Sequence, residues 1–243
     1  MLERGGNVDF SNRVVMLTGA GKGVGKQTAR MFAQAGAKVG LVARTRQDLQ
    51  VLEEEIRHNG GQAMALCCDV SKEEDVAAAV SKLEETWGSV DILVNNAAVF
   101  RGGLVDELSL EDWHVPIQVI LDGTFLCCKH VLPGMKRRGY GKIVNIASSA
   151  VRHAFPGYSA YAAAKGGVVA FGTTLMEEVR AYGINVNTII LGLTNTAEIK
   201  DRATVPPEKM LQPEDVAHTI MYLASDEARG FKGSALEFFG DYL

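Results

Sequence analysis

The chain has 243 residues and a formal net charge of −4, with 47% apolar and 22% charged residues. That balance suits one large soluble α/β or similar domain. It excludes the basic footprint of a nucleic-acid binder, and no run of about 18 apolar residues predicts a membrane span.

Taken in chain order, the opening "MLERGGNVDFSN" has none of the hydrophobic core of a signal peptide. Residues 1–11 are therefore expected to be a flexible tail, and the protein cytoplasmic. Apolar runs of strand length then alternate with longer helical patterns. "RVVMLT" (13–18) reads as a strand and "VGKQTARMFAQAG" as a helix stopping at Gly36. "KVGLVA" (38–43), "QAMALCC" and "VDILVNN" are further strands. Between them lie the helices "RQDLQVLEEEIRHNG" and "KEEDVAAAVSKLEETWG", the second expected to be capped by Ser71 with Glu74 three residues on. A helix is expected over 110–138, with Pro116 kinking it or marking its start. The strand "GKIVNIA", a helix over about 158–182, the strand "INVNTII", the helix "PEDVAHTIMYLAS" and a short strand "SALEFF" complete the series. Strands alternating with helices imply parallel pairing and right-handed crossovers. Their nearly unbroken apolar character suits a sheet covered on both faces. The prediction is one doubly wound Rossmann domain over 1–243, with a mostly parallel seven-stranded sheet and helices on both faces. The four cysteines form two adjacent pairs, Cys67–Cys68 and Cys127–Cys128, which match no metal-ligand spacing. They read as packing residues in a reducing cytosol, and no metal site is expected.

Between the first strand and first helix stands "TGAGKGVGK" (18–26). It is neither a strict G-x-G-x-x-G turn nor a Walker loop, since Val24 and Lys26 fall where glycine would be needed and Gln27 follows the lysine. Gly19, Gly21, Gly23 and Gly25 still allow a tight bend, and the helix start offers free N–H groups to a phosphate. A plain strand-to-helix connection would not need four glycines in seven residues. An NAD site would call for an acid at the end of the second strand. Here "LVARTR" puts Arg44 there, and Lys22 adds a second cation. Two cations suit a 2′-phosphate, so NADP(H) is the expected cofactor; the competing explanation is that Arg44 is a solvated surface charge.

The stretch "YSAYAAAK" (158–165) is rich in helix-forming alanine. It sets Tyr161 and Lys165 one turn apart on one face, whereas Tyr158 is two turns from Lys165 and reads as packing or pocket lining.

"TGAGKGVG", "DV" at 69–70, "NNAA" at 95–98, Ser148 and "YAAAK" at 161–165 together resemble the short-chain dehydrogenase/reductase family in its form of about 250 residues, and 3-oxoacyl-carrier-protein reductase-like members in particular. The resemblance runs from about residue 10 to the end. It implies that Gly19, Lys22, Gly23, Val24 and Gly25 line the pyrophosphate and adenosine ribose, and that Arg44 meets the 2′-phosphate. Asp69 and Val70 would lie by the adenine, Asn96 and Ala97 by the adenosine side of the cleft, and Thr194 and Thr196 by the nicotinamide carboxamide. Ser148, Tyr161 and Lys165 would be the catalytic set: Ser148 holding the carbonyl oxygen, Tyr161 moving the proton, Lys165 binding the nicotinamide ribose and tuning Tyr161. A free tyrosine has a pKa of about 10, and a cation one turn away is expected to lower it toward use as an acid–base group.

The family pattern breaks in places. Ile120 stands where the family has an asparagine that helps hold a water behind the lysine, with Thr124 one turn on as a substitute through water. Leu191 replaces a proline and is expected to loosen the nicotinamide loop; Ala98 replaces a glycine. His153 reads either as a substrate contact or as a solvated loop residue, and His114 as structural. The pocket-shaping stretch would be "NTAEIKDRATVPPEKMLQ", short and polar. The expected activity is NADPH-dependent interconversion of a small-molecule ketone or 3-oxoacyl carbonyl and a secondary alcohol, in a homodimer or homotetramer. The other reading is a dinucleotide-binding module that senses or assembles without turnover.

Overall fold

The computed structural model describes residues 8–197, 199 and 205–241. The expected strands form as β1 (Val14–Thr18), β2 (Lys38–Ala43), β3 (Gln62–Cys67), β4 (Ile92–Asn95), β5 (Gly141–Ser148), β6 (Ile184–Leu191) and β7 (Ala235–Phe238). They make one seven-stranded sheet in the order β3-β2-β1-β4-β5-β6-β7, parallel throughout. β1, β4 and β6 are buried at every position, as strands covered on both faces should be. The order reverses between β1 and β4, where a doubly wound sheet opens its binding crevice.

One face is packed by α1 (Gly23–Gln34), α2 (Arg46–His58) and α7 (Pro213–Ala224). There Phe32, Leu49, Leu52 and Ile220 are fully buried against Val15, Leu17, Val39 and Leu41. The other face holds α3 (Glu73–Trp87), α5 (Gly123–Arg138) and α6 (Ser159–Val179), whose Leu83, Val131, Met135 and Val179 cover Met16, Leu93 and Val186. Cys68, Cys127 and Cys128 are buried in that second core, and all four cysteines are free thiols.

Three details depart from the sequence expectations. Residues 1–7 of the expected tail lie outside the described residues, but Phe10 belongs to the core: it is 3% exposed, its N–H donates to Ala35 O at 2.8 Å, and its ring meets Phe32 edge-on at 4.9 Å. Ser71 does not cap α3. Lys72 occupies the cap, and the Ser71 hydroxyl donates instead to Asp69 Oδ1 at 2.7 Å, a local turn that competes with the cap for the same hydroxyl. The helix of 110–138 is three pieces: α4 (Leu110–Pro116), a π-helical turn (Ile117–Asp122) and α5. Pro116 has no N–H to continue the α ladder, and past it the chain takes a wider turn in which Gly123 N donates to Gln118 O. This run of 29 residues is long and apolar enough by composition to cross a membrane. Its Ile120, Leu126, Cys127, Val131 and Met135 are buried in the core, the pattern of a core helix in a doubly wound fold.

Candidate active site

At the C-terminal ends of β1 and β4, the Thr18 hydroxyl joins the two strands. It donates to Val94 O at 3.2 Å and accepts from the N–H groups of Asn96 and Ala97 at 2.9 and 3.0 Å. The Asn96 side chain in turn donates to Thr18 O at 3.0 Å and Gly19 O at 3.2 Å. Asn96 and Ala97, expected beside the adenosine, therefore also brace the glycine turn. The turn needs its glycines. Gly19 has φ +67°, and a Cβ on Gly25 would stand 2.1 Å from Gly19 O. α1 then starts with Lys22 at its cap, no side-chain cap bond and no acid in its first turn. A helix start of that kind presents N–H donors and a positive dipole end to an anion. Thr196 comes back over this turn: a Cβ on Gly23 would lie 3.3 Å from its Cγ2. Val24 packs on the core beside it.

Arg44 is exposed just past β2, and its guanidinium has no ion-pair partner among the described residues. Lys22 is likewise exposed. Asp69 and Val70 follow β3 as expected. The Asp69 carboxylate accepts both the N–H and the hydroxyl of Ser71, and Val70 packs so close to Gly123 that a Cβ there would meet it at 2.8 Å. Thr194 is 8% exposed and bridges to Leu211 in parallel fashion. The loosening expected from Leu191 is absent. Leu191 is the last residue of β6, in register with Ser148 and Phe238, and the following loop is tied by Gly192 N to Phe238 O (2.9 Å), Leu211 N to Leu193 O (3.0 Å) and Asn195 N to Leu211 O (2.8 Å). Residues 198 and 200–204 of the expected pocket-shaping stretch lie outside the described residues.

Ser148 ends β5, and Tyr161 and Lys165 stand on the first turns of α6. Ser148 lies close enough to Tyr161 to bear on its pKa. Lys165 is 2% exposed, and its Nζ donates to Ile146 O at 2.5 Å while lying 5.8 Å from the Tyr161 ring centre. The electrostatics correct the expected tuning. Burial raises the Tyr161 pKa above its ordinary value; Ser148 opposes this, and Tyr158 adds to the rise. Burial pushes Lys165 down to about 7. The causes of the Tyr161 shift are burial, Ser148 and Tyr158, and Lys165 is not among them. Ile120 packs with Ala164 and Val168 against Tyr161. The Thr124 hydroxyl, expected to stand in for the missing asparagine, instead donates to Ile120 O at 2.6 Å.

Two features escaped the sequence reading. Thr18 was quoted within the turn without a role, although a hydroxyl at a strand end is a signal for such a bond. Phe100 and Phe155 carry no periodic signal, yet with Tyr158 they form a row of rings leading to Tyr161. His153 sets its ring edge-on to Phe239 at 5.6 Å.

A parallel 3-2-1-4-5-6-7 sheet with a glycine turn at its switch point, and a serine–tyrosine pair above a buried lysine, defines a Rossmann-type dehydrogenase. The chain belongs to the short-chain dehydrogenase family, whose sequence pattern it matches over residues 13–205, and whose members bind a nicotinamide dinucleotide. It is 34% identical over 226 residues to a 3-oxoacyl-[acyl-carrier-protein] reductase of Synechocystis, covering 90% of this chain and 92% of that one. Its fold superposes on an actinorhodin polyketide ketoreductase with NADPH at TM-score 0.87 and 33% identity, covering 94% of this chain and 96% of the other. It also superposes on a 7α-hydroxysteroid dehydrogenase complexed with NADH and 7-oxo glycochenodeoxycholic acid, at TM-score 0.90 and 28% identity, covering 96% and 95%.

Proposed function

We propose that this chain is an NADP(H)-dependent carbonyl reductase that interconverts a ketone and a secondary alcohol, with Ser148, Tyr161 and Lys165 as its catalytic residues. The observation that carries the reading is Ser148 at the end of β5 beside Tyr161, one helical turn from a buried, backbone-anchored Lys165.

The residues fit a nicotinamide dinucleotide. The glycine turn leaves no room for a Cβ, and α1 opens with neither a side-chain cap nor an acid to compete with phosphate. Gly19, Lys22, Gly23, Val24, Gly25, Asp69, Val70, Asn96, Ala97, Thr194 and Thr196 would hold it along the crevice, together with Tyr161 and Lys165. When bound, the cofactor supplies or accepts the hydride. Arg44, exposed beyond β2 and without an ion-pair partner among the described residues, supports a 2′-phosphate over a bare ribose hydroxyl.

The raised pKa keeps Tyr161 protonated at neutral pH, so the phenol is loaded to donate. A carbonyl oxygen received between the Ser148 and Tyr161 hydroxyls would be oriented by the serine and take its proton from Tyr161 Oη as it becomes an alkoxide. Lys165, whose pKa burial lowers, sits where a nearby anionic ligand would draw it to the ammonium form and so stabilise the phenolate left after transfer. The 3-oxoacyl-[acyl-carrier-protein] reductase of Synechocystis, as a relative, supports 3-oxo thioesters as one substrate class to assay. Four free thiols accord with a reducing, cytoplasmic setting.

The test is NADPH oxidation with a panel of ketones and 3-oxoacyl thioesters. Tyr161→Phe should lower kcat/KM by about 10²–10⁴-fold, the usual worth of a positioned acid, while NADPH binding by fluorescence holds. Turnover that survives in this variant would refute the assignment.

A further inference from the structure

The carbonyl-reductase reading leaves unused a row of rings beside Tyr161. Phe100, Phe155 and Tyr158 are 41%, 43% and 37% exposed. Phe100 lies 4.5 Å from Tyr158 and 5.7 Å from Tyr161, centre to centre. Phe155 lies 5.4 Å from Tyr158, and Tyr158 meets Tyr161 almost perpendicularly at 6.2 Å. Single exposed apolar side chains are common and need no reason, but three large rings in contact, each left open to water, mark a surface meant to be covered. Tyr161 ends the row.

The support under these rings is ordered. The two loops that carry them are joined by Gly103 N donating to Gly157 O at 3.0 Å, and Tyr158 N donates to Phe155 O at 3.1 Å. The neighbouring charges are already matched. Arg101 faces Asp112 at 3.8 Å, and Arg152 Nε donates to Glu237 at 2.8 Å. Among the described residues the wall therefore presents ring faces and edges.

We infer that this wall selects the substrate, and that the substrate is a ketone bearing an aromatic ring, seated against Phe100 and Tyr158 while its carbonyl reaches Ser148 and Tyr161. The inference rests on the reductase reading above and adds the substrate class. A saturated ring of the same size buries similar area but lacks the quadrupole that makes offset or edge-on ring contacts favourable.

Benzylacetone and its cyclohexyl analogue separate the two effects, because two methylenes insulate the ring from the carbonyl and equalise intrinsic reactivity. With NADPH, the protein should prefer the aryl ketone by about tenfold in kcat/KM, the sum of two modest ring contacts, with the difference carried by KM. Phe100→Leu with Tyr158→Leu should bring that ratio close to one; the exposed Phe100→Leu alone should lower it if the double variant does not fold. A ratio near one in the unaltered protein, or one that survives both variants, overturns the wall. If neither ketone turns over, the reductase reading is at fault. Saturation-transfer NMR on the NADPH-loaded protein then decides the wall: stronger transfer to benzylacetone than to its analogue, lost in the variants, supports it, and equal transfer refutes it.

Discussion

Lys165 shows how far a side chain's environment can depart from its neighbours in sequence. It sits in a run of alanines and glycines that supply no partner, so its Nζ reaches across to the backbone of β5. Its pKa falls from an ordinary 10.5 to about 7 by burial. Between those values the unfolded chain holds a proton that the folded protein lacks, so raising pH favours the folded state. Below pH 7 the full cost of burying the charge applies. The melting temperature of the cofactor-free protein minus that of Lys165→Met should therefore rise from pH 7 toward pH 10, measured by scanning calorimetry; a fall over that range would show that the amine is not desolvated. Arg44 is the opposite case, exposed and without an ion pair among the described residues. A charge-assisted contact to phosphate is worth about 1.5–3 kcal/mol. Arg44→Ala should weaken NADPH binding by roughly 10–100-fold and NADH binding little. Equal losses in titration calorimetry would remove the basis for the 2′-phosphate.

The glycine turn and α1 act as one element. Gly25 lies in the first turn of α1, and its missing Cβ lets Gly19 O approach within what would be 2.1 Å. The contact is backbone, so no side-chain rotation relieves it. Gly25→Ala must open the turn, at about 1–3 kcal/mol of overpacking strain, and should abolish dinucleotide binding while the protein stays folded at room temperature by circular dichroism. The π-helical turn after Pro116 is a second case of an element decided by one residue. Its Ile120 fills the space beside Tyr161 with an apolar side chain, so the proton path the family builds with an asparagine has no counterpart at that position.

At the scale of the molecule, one aromatic contact stands on the outer face of the helices α5 and α6. On α5 and α6 Phe125 is 47% exposed and meets Phe171 edge-on at 6.4 Å, an apolar contact left on the outer surface of the two longest helices. A second copy of the chain is the expected cover, giving a homodimer or homotetramer. Light scattering after size exclusion should report a multimer, and Phe125→Glu should shift the mass toward the monomer; an unchanged mass would put the interface elsewhere.

The strand–helix order, the tight glycine turn and the placing of Tyr161 and Lys165 one turn apart on one helix were legible in the chain, because apolar runs, 3.6-residue spacing and tight turns are properties of neighbouring residues. Even the Pro116 irregularity could be read there. Only the tertiary structure decided that Phe10 is core, that Ser71 serves Asp69 rather than α3, and that Thr18 and Asn96 knit β1 to β4. It also buried Tyr161 and Lys165 and brought Phe100, Phe155 and Tyr158 into one wall. Apart from the local Ser71–Asp69 turn, those outcomes depend on desolvation and on contacts between separate segments of the chain, such as Phe100 with Tyr158 or Thr18 with Asn96, and neither is a local quantity.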